Sequence, residues 1–144
     1  MPPGYQGYEK SKKIIDKSLK NFNLEYIDLM MVHHPSTHGL SPSDPKNIEN
    51  RHGTWKALEE YVEKGLIKSI GVSNFRPTHL DQLLKVANIK PATNQFELHP
   101  LYVEYDTIEL CRKHEILIQC YSPFALFNKA LVENEIIVKI ANSH

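Results

Sequence analysis

The feature that most constrains the fold is a regular alternation of short apolar segments with amphipathic ones. Buried strands are predicted at residues 27–33, 69–73, 93–98 and 117–122, where apolar residues run almost without interruption. Between them apolar residues recur every three or four positions, as in Leu80, Leu83 and Leu84, which predicts helices. An initial helix followed by four strand–helix units indicates a parallel sheet with right-handed crossovers.

Residues between these segments predict where the helices begin and end. Gly65 follows Glu63-Lys64 and fits a left-handed helix C-terminus. Thr78 and Asp81 predict a capping box that opens the next helix. The apolar positions of residues 132–140 predict one last helix, whereas residues 36–53, polar and rich in Pro, Ser and Asn, predict a long irregular loop.

Chain length excludes a complete barrel, and one missing motif counts modestly against an open sheet. The chain has 144 residues, whereas a complete (β/α)8 barrel usually has ~250. A doubly wound open sheet is the competing architecture, but no Gly-x-Gly-x-x-Gly follows any predicted strand. We therefore expect an α/β fold, a partial TIM (β/α)8 barrel of about four consecutive parallel β/α units, forming a single domain over residues 1–144.

Composition excludes several classes of partner. Lys+Arg and Asp+Glu are equal at 17 each, so no broad nucleic-acid or membrane-surface footprint is expected. Cys111 and Cys120 form neither a disulfide framework nor a metal spacing, which favours a reducing, cytoplasmic location. The N-terminus lacks the pattern of a signal peptide, and no apolar run approaches the ~20 residues that span a bilayer.

Polar side chains come at the end of every predicted strand. In a parallel barrel the site lies at the C-terminal ends of the strands, so these side chains should meet at one rim. Taken singly, each would more often be a strand-end cap or a core residue, but together they predict a polar pocket. They are His33, Ser73, Asn74, Gln95, Glu97, Tyr121 and Ser122.

Four motifs in order resemble the signatures of the aldo-keto reductases. The segment Ile-Gly-Val-Ser-Asn-Phe at 70–75 is similar to that family's Gly-[Ile/Val]-Ser-Asn-[Phe/Tyr] motif. Residues 26–35 resemble the strand that ends in the family's active-site histidine, here His33. Residues 94–100 and 120–124 resemble two further signatures, and the likeness runs from about Tyr8 to the end of the chain.

The resemblance implies that the parent protein reduces small aldehydes or ketones to alcohols by hydride transfer. His33 would then hydrogen-bond the carbonyl oxygen, where negative charge develops. His34 stands where many members have tryptophan and would make the rim of the substrate pocket more polar. Asp28, by contrast, is interpreted as a structural hydrogen-bonding group in a buried strand.

The resemblance also implies a nicotinamide cofactor, NADPH, with NADH left open. Ser73, Asn74 and Gln95 would bind the nicotinamide carboxamide, which has one acceptor and two donors. Tyr121 would stack on the nicotinamide ring, and Ser122 would contact the pyrophosphate. No metal is expected, because His33, His34, His38 and His52 lack a matched set of carboxylates or thiolates.

The chain departs from the family pattern at both ends. The family's proton-donor tyrosine and its supporting aspartate and lysine would precede Met1, and Tyr5, Tyr8 and Tyr26 do not stand in the matching context. The loop that grips the adenosine phosphate would follow His144. Two further interpretations therefore stay open: a non-catalytic nucleotide-binding or interaction module, and a ligand-free structural protein of the same ancestry. Open barrel edges also predict self-association.

Overall fold

The computed structural model describes residues 1–144, which form one sheet covered on one side by helices. The helices are α1 (Tyr8–Phe22), α2 (Lys46–Glu63), α3 (Pro77–Leu84), α4 (Tyr105–Lys113), α5 (Lys129–Val132) and α6 (Glu135–Ala141). The strands are β1 (Ile27–Val32), β2 (Ile67–Ser73), β3 (Thr93–Glu97) and β4 (Leu117–Tyr121). Short 3₁₀ turns lie at Pro3–Tyr5 and Ala125–Phe127.

All four strands are parallel and neighbour one another in chain order, β1-β2-β3-β4. This arrangement confirms the predicted fold class and the position of every strand. The predicted ends differ by a residue or two, since His33, Leu98 and Ser122 lie just beyond the strands. Each therefore begins a loop at the C-terminal rim of the sheet.

The core lies between the sheet and its helices. Ile70 and Val72 of β2 and Phe96 of β3 are at most 3% exposed and pack in one cluster with the apolar faces of the helices. From α2 the cluster receives Trp55 and Leu58, and Trp55 is core as the helical spacing predicts.

The opposite face of the sheet has no covering layer. Leu29 on β1 is 39% exposed and Leu117 on β4 is 72% exposed, and both belong to the outermost strands. The prediction of buried strands at residues 27–33 and 117–122 is therefore wrong on this face. Asp28 is likewise exposed and makes no side-chain hydrogen bond, so its interpretation as a buried structural group is also wrong.

Met1 pairs with the free edge of β1. Its ammonium group donates to the Met31 carbonyl oxygen at 2.5 Å, and the His33 N–H donates to the Met1 carbonyl oxygen at 3.0 Å. One residue bonded to positions on both sides of Val32 is the pattern of a parallel ladder. This edge therefore accepts a parallel strand at its C-terminal end.

The helix end predicted at Gly65 is confirmed, whereas the start predicted for α3 is one residue late. Gly65 has φ +71°, and its N–H donates to the Val62 carbonyl oxygen, as expected for a left-handed cap. Helix α3 begins at Pro77, so the box predicted from Thr78 and Asp81 is wrong. The N–H of Arg76 instead donates to His79 Nδ1 at 3.2 Å.

Two further predictions of helical extent are wrong. Helix α2 begins at Lys46, inside the segment predicted as irregular, because the Asp44 carboxylate accepts from the Lys46 N–H at 2.8 Å and caps the helix. The single last helix is divided because Asn134 Oδ1 accepts from the Ile136 N–H at 3.0 Å and starts α6. Both caps are short-range hydrogen bonds that hydrophobic periodicity does not register.

Gly71 allows β1, β2 and β3 to approach closely on the uncovered face. A Cβ atom there would lie 2.8 Å from Thr93 Cγ2, 3.0 Å from the Thr93 carbonyl oxygen and 3.2 Å from Met31 Cγ. We expect Gly71→Ala to lower the free energy of unfolding by about 1–3 kcal/mol, because the strands must separate. Chemical denaturation measures this value. Gly4→Ala is the control, since no atom lies within 4 Å of its Cβ position, and equal stability of the two variants would contradict the expectation.

None of the helices combines the length and apolar character that crossing a bilayer requires. The side chains also hold no group of three or more His, Cys, Asp or Glu residues arranged to bind a metal ion.

Candidate functional site

Asn74 lies at the centre of the polar side chains at the strand ends. Its φ of +62° is left-handed, a conformation that asparagine tolerates better than most residues. Its Nδ2 donates to the His33 carbonyl oxygen at 2.9 Å and to Ser73 Oγ at 3.1 Å. The Tyr121 hydroxyl donates to Asn74 Oδ1 at 2.8 Å. One amide therefore links the C-terminal ends of β1, β2 and β4.

Ser73 extends this network to the third strand. Its hydroxyl donates to the Gln95 carbonyl oxygen at 2.8 Å, and the Asn74 N–H donates to the same oxygen at 2.8 Å. Ser73 is only 3% exposed, so its hydroxyl mainly fastens β2 to β3. The strand-end network thus includes Ser73, Asn74 and Tyr121 through their side chains, and His33 and Gln95 through their carbonyl oxygens.

Three predicted site residues keep side chains without a hydrogen bond. The His33 ring is exposed, and the Gln95 amide is half-buried on the uncovered face beside Ser73, its partner in the β2–β3 register. Ser122, with φ +51°, turns the chain sharply after β4 and leaves its hydroxyl unbonded. These three groups are available to a ligand, whereas the Asn74 Nδ2 group is already occupied.

A cavity of about 400 Å³ opens beside the network. Of the predicted strand-end residues and His34, four line it, namely His34, Asn74, Glu97 and Tyr121, while His33, Ser73, Gln95 and Ser122 do not. The structure therefore divides the predicted set into residues that border this cavity, called the strand-end cavity below, and residues that lie outside it.

His34 is a neutral group at this cavity. Burial, followed by the nearby His33, lowers the pKa of the His34 imidazole. Its Nδ1 accepts a hydrogen bond from the Ser36 N–H at 3.2 Å, which leaves the proton of the neutral ring on Nε2. His34 therefore offers a neutral donor, consistent with a polar rim.

Sequence reasoning missed a polar cluster on the far wall of the strand-end cavity. Tyr102 donates to the Glu104 carboxylate at 2.5 Å, and this bond raises the pKa of the phenol. The Arg76 guanidinium lies 3.2 Å from the same carboxylate. Arg76 lies two positions beyond Asn74, so the expectation that the site lies at the C-terminal ends of the strands could have found it. Tyr102 and Glu104 lie in the β3–α4 loop, where no residue pattern marks them.

The tyrosines considered as proton donors from the sequence lie away from the strand ends. The Tyr8 hydroxyl donates to Glu60 at 2.5 Å, between α1 and α2. Tyr26 precedes β1 and lies under the Lys68 ammonium, at the opposite end of the strand. Tyr5 belongs to the first 3₁₀ turn. The tyrosines that line the strand-end cavity are Tyr102 and Tyr121.

Comparisons with known proteins agree on one family. The family model described as "Aldo/keto reductase family" matches residues 3–139. The 9,11-endoperoxide prostaglandin H2 reductase of Trypanosoma cruzi is 39% identical over 140 residues, covering 96% of this chain and 46% of that protein. The glyoxal reductase of Bacillus subtilis is 37% identical over 139 residues, with the same coverage of 96% and 46%.

Solved structures give the same result. An aldo/keto reductase from Brucella melitensis superposes with a TM-score of 0.86 at 34% identity, covering 100% of this chain and 51% of that one. A Bombyx mori aldo-keto reductase in complex with NADP has a TM-score of 0.85 at 25% identity, covering 99% and 48%. The chain spans about half the length of the relatives it matches.

Proposed function

Because this chain belongs to the aldo/keto reductase family, we propose that its strand ends form part of a site that reduces small aldehydes or ketones with NADPH. The observation that carries the proposal is the hydrogen-bonded convergence of His33, Ser73, Asn74 and Tyr121 at one rim of a parallel sheet. Relatives with NADP or NADPH bound support the choice of cofactor.

The residues present fit a nicotinamide carboxamide. The Gln95 side-chain amide is unbonded, and it offers a donor and an acceptor to a ligand amide. Asn74 Oδ1 accepts one hydrogen bond, from Tyr121, and has a second lone pair free. Ser73 contributes by holding Asn74 and β3 in place. Gln95 and Asn74 would therefore hold the carboxamide, and the cofactor would supply the hydride.

His33 would orient the carbonyl substrate. Its ring is exposed and makes no hydrogen bond within the chain, so a nitrogen can donate to a carbonyl oxygen. His34 borders the strand-end cavity and would contact the rest of the substrate. The Ser122 hydroxyl, unbonded at the turn after β4, would contact the pyrophosphate.

Tyr121 gives the first test of cofactor binding. We expect Tyr121→Ala to weaken NADPH binding about tenfold, because stacking of an aromatic side chain on a base is worth about 1–3 kcal/mol. Tyr121→Phe keeps the ring and should stay close to the parent chain. NADPH fluorescence titration measures both affinities.

The matched control is Tyr105→Ala, which removes a tyrosine that is 72% exposed on α4. Equal NADPH affinity in the parent chain and in Tyr121→Ala would contradict the nicotinamide site. NADPH binding without turnover of an activated aldehyde would instead favour the second candidate, a non-catalytic nucleotide-binding module. The location of Tyr5, Tyr8 and Tyr26 away from the rim favours that candidate for the chain by itself.

The uncovered sheet face is also proposed to drive self-association. Leu117 lies on the edge strand β4 and is 72% exposed, and unpaired edges recruit other strands. We expect sedimentation velocity to show species larger than the monomer that increase with concentration. Leu117→Lys should weaken this association, whereas Leu126→Lys, on a residue 88% exposed outside the sheet, should not. A single monomeric species with cooperative unfolding would contradict the proposal.

A further inference from the structure

Arg51 is a buried cation without an acidic partner. Its side chain is 5% exposed, and no carboxylate oxygen lies within 4.0 Å of its guanidinium nitrogens. Nη1 donates to the Pro35 carbonyl oxygen at 2.8 Å and Nη2 donates to Gln82 Oε1 at 2.5 Å. A guanidinium has five N–H donors, so some of them remain without a protein partner. Buried charges are normally paired, which makes this arginine unusual.

Arg51 lines a polar cavity of about 210 Å³ that lies outside the strand-end network. This cavity, called the α2–α3 cleft, lies between residues 42–51 and the first two turns of α3. Thr78, His79 and Gln82 form its α3 wall. His79 and Pro42 also border the strand-end cavity, so the two openings adjoin.

The charges around His79 are predominantly positive. Burial lowers the pKa of its imidazole most, and the neighbouring Arg51, His34 and Arg76 side chains lower it further. Its Nδ1 accepts from the Arg76 N–H at 3.2 Å, so the neutral ring carries its proton on Nε2 and can donate. Arg76 is paired with Glu104, which leaves Arg51 as the cation that lacks a counter-charge.

One acidic side chain lies among these positive charges. Asp44 lines the cleft, but its Oδ1 accepts from the Lys46 N–H at 2.8 Å at the start of α2. It therefore caps the helix and forms no ion pair with Arg51.

We propose that the α2–α3 cleft binds an oxyanion, the carboxylate or phosphate group of a small molecule, through Arg51 and His79. The planar guanidinium fork suits both groups, because it donates two parallel hydrogen bonds to neighbouring oxygens. The bound oxyanion supplies the counter-charge that Arg51 lacks within the chain. The hydroxyl of Thr78 and the amide of Gln82 provide further polar wall. None of these residues is among those proposed to bind the nicotinamide, which are Asn74, Gln95 and Tyr121. The proposal is therefore independent of the proposed function.

The test titrates the purified chain with inorganic phosphate and, separately, with malonate, using calorimetry. We expect saturable binding that Arg51→Gln weakens about tenfold or more, since hydrogen bonds from charged groups are the strong ones. Arg112→Gln removes an exposed arginine on α4 that makes no side-chain hydrogen bond, and it should leave the affinity unchanged. Tighter phosphate binding would identify a phosphorylated ligand, and tighter malonate binding a carboxylic acid.

Two further variants keep the outcome decisive if Arg51→Gln fails to fold. Arg51→Lys retains the charge and should retain part of the affinity, whereas His79→Gln should lose affinity with the fold intact by circular dichroism. The proposal would be overturned if the parent chain bound neither phosphate nor malonate saturably up to ~10 mM. An equal loss in Arg112→Gln and Arg51→Gln would overturn it as well.

Discussion

Replacing His33 with alanine should lower kcat for carbonyl reduction about 10²–10³-fold, the usual cost of removing one donor to a developing oxyanion. The experiment uses a chimera, in which residues 3–139 of this chain replace the matching segment of the Bacillus subtilis glyoxal reductase. That protein then supplies the half of the barrel that this chain does not span. Turnover of glyoxal with NADPH is followed by the loss of cofactor absorbance.

The division between kcat and KM identifies the role of His33. A donor that acts mainly where charge develops lowers kcat with little change in KM. His38→Ala is the matched control, because His38 is also exposed and its backbone N–H, which the substitution keeps, donates to the Pro3 carbonyl oxygen. If His33→Ala and His38→Ala had the same kcat, the assigned role would be wrong.

Trp55→Ala should lower the free energy of unfolding by about 3–5 kcal/mol, the range for removing a large buried aromatic side chain. Trp55 is 1% exposed in the main core cluster, and its Nε1–H donates to the Ile89 carbonyl oxygen at 3.0 Å. The substitution therefore leaves a cavity and an unpaired carbonyl at the loop before β3. Urea denaturation followed by circular dichroism measures the loss.

Trp55→Phe separates packing from hydrogen bonding. It keeps most of the ring volume and removes the indole donor, so it should cost about 1 kcal/mol, near the net value of one hydrogen bond, plus a smaller packing loss. Phe22→Ala, at a residue 72% exposed at the end of α1, should change stability by less than about 0.5 kcal/mol. A Trp55→Ala variant as stable as Phe22→Ala would contradict the location of the core.

The sheet could be predicted from the sequence because its strands are short apolar runs between clear helical patterns. Residues 93–97 and 117–121 were both predicted as strand and lie in β3 and β4. An apolar run shows that a strand suits a core but not whether both of its faces are covered, so the exposure of Leu29 follows from the partial barrel and not from the strand's own residues.

Helix boundaries depended on individual hydrogen bonds that periodicity does not reveal. Asp44 caps α2 and Asn134 starts α6, and each is one of many polar residues in its segment. Thr78 and Asp81 matched a capping box, yet Pro77 begins the helix one residue earlier. Sequence patterns of this kind describe possible caps, and the surrounding chain selects among them.

The sequence predicts that polar side chains from neighbouring strand ends lie at one rim, but not how they bond to one another. Strand ends and family motifs together select Asn74 and Tyr121, and the structure brings their side chains within 2.8 Å of each other. The sequence did not indicate that Asn74 Nδ2 would be occupied by the His33 carbonyl oxygen. Tyr102 was missed because loop residues reach the cavity through tertiary folding alone.

The most direct test of the nicotinamide site is an intermolecular NOE experiment on the chain with NADP⁺. We expect cross-peaks from the nicotinamide ring protons to the Tyr121 ring and the Gln95 side-chain amide. Tyr105, exposed on α4, serves as the internal reference for non-specific contact. Cross-peaks only to Tyr105, or none to Tyr121 under conditions where NADP⁺ binds, would contradict this expectation.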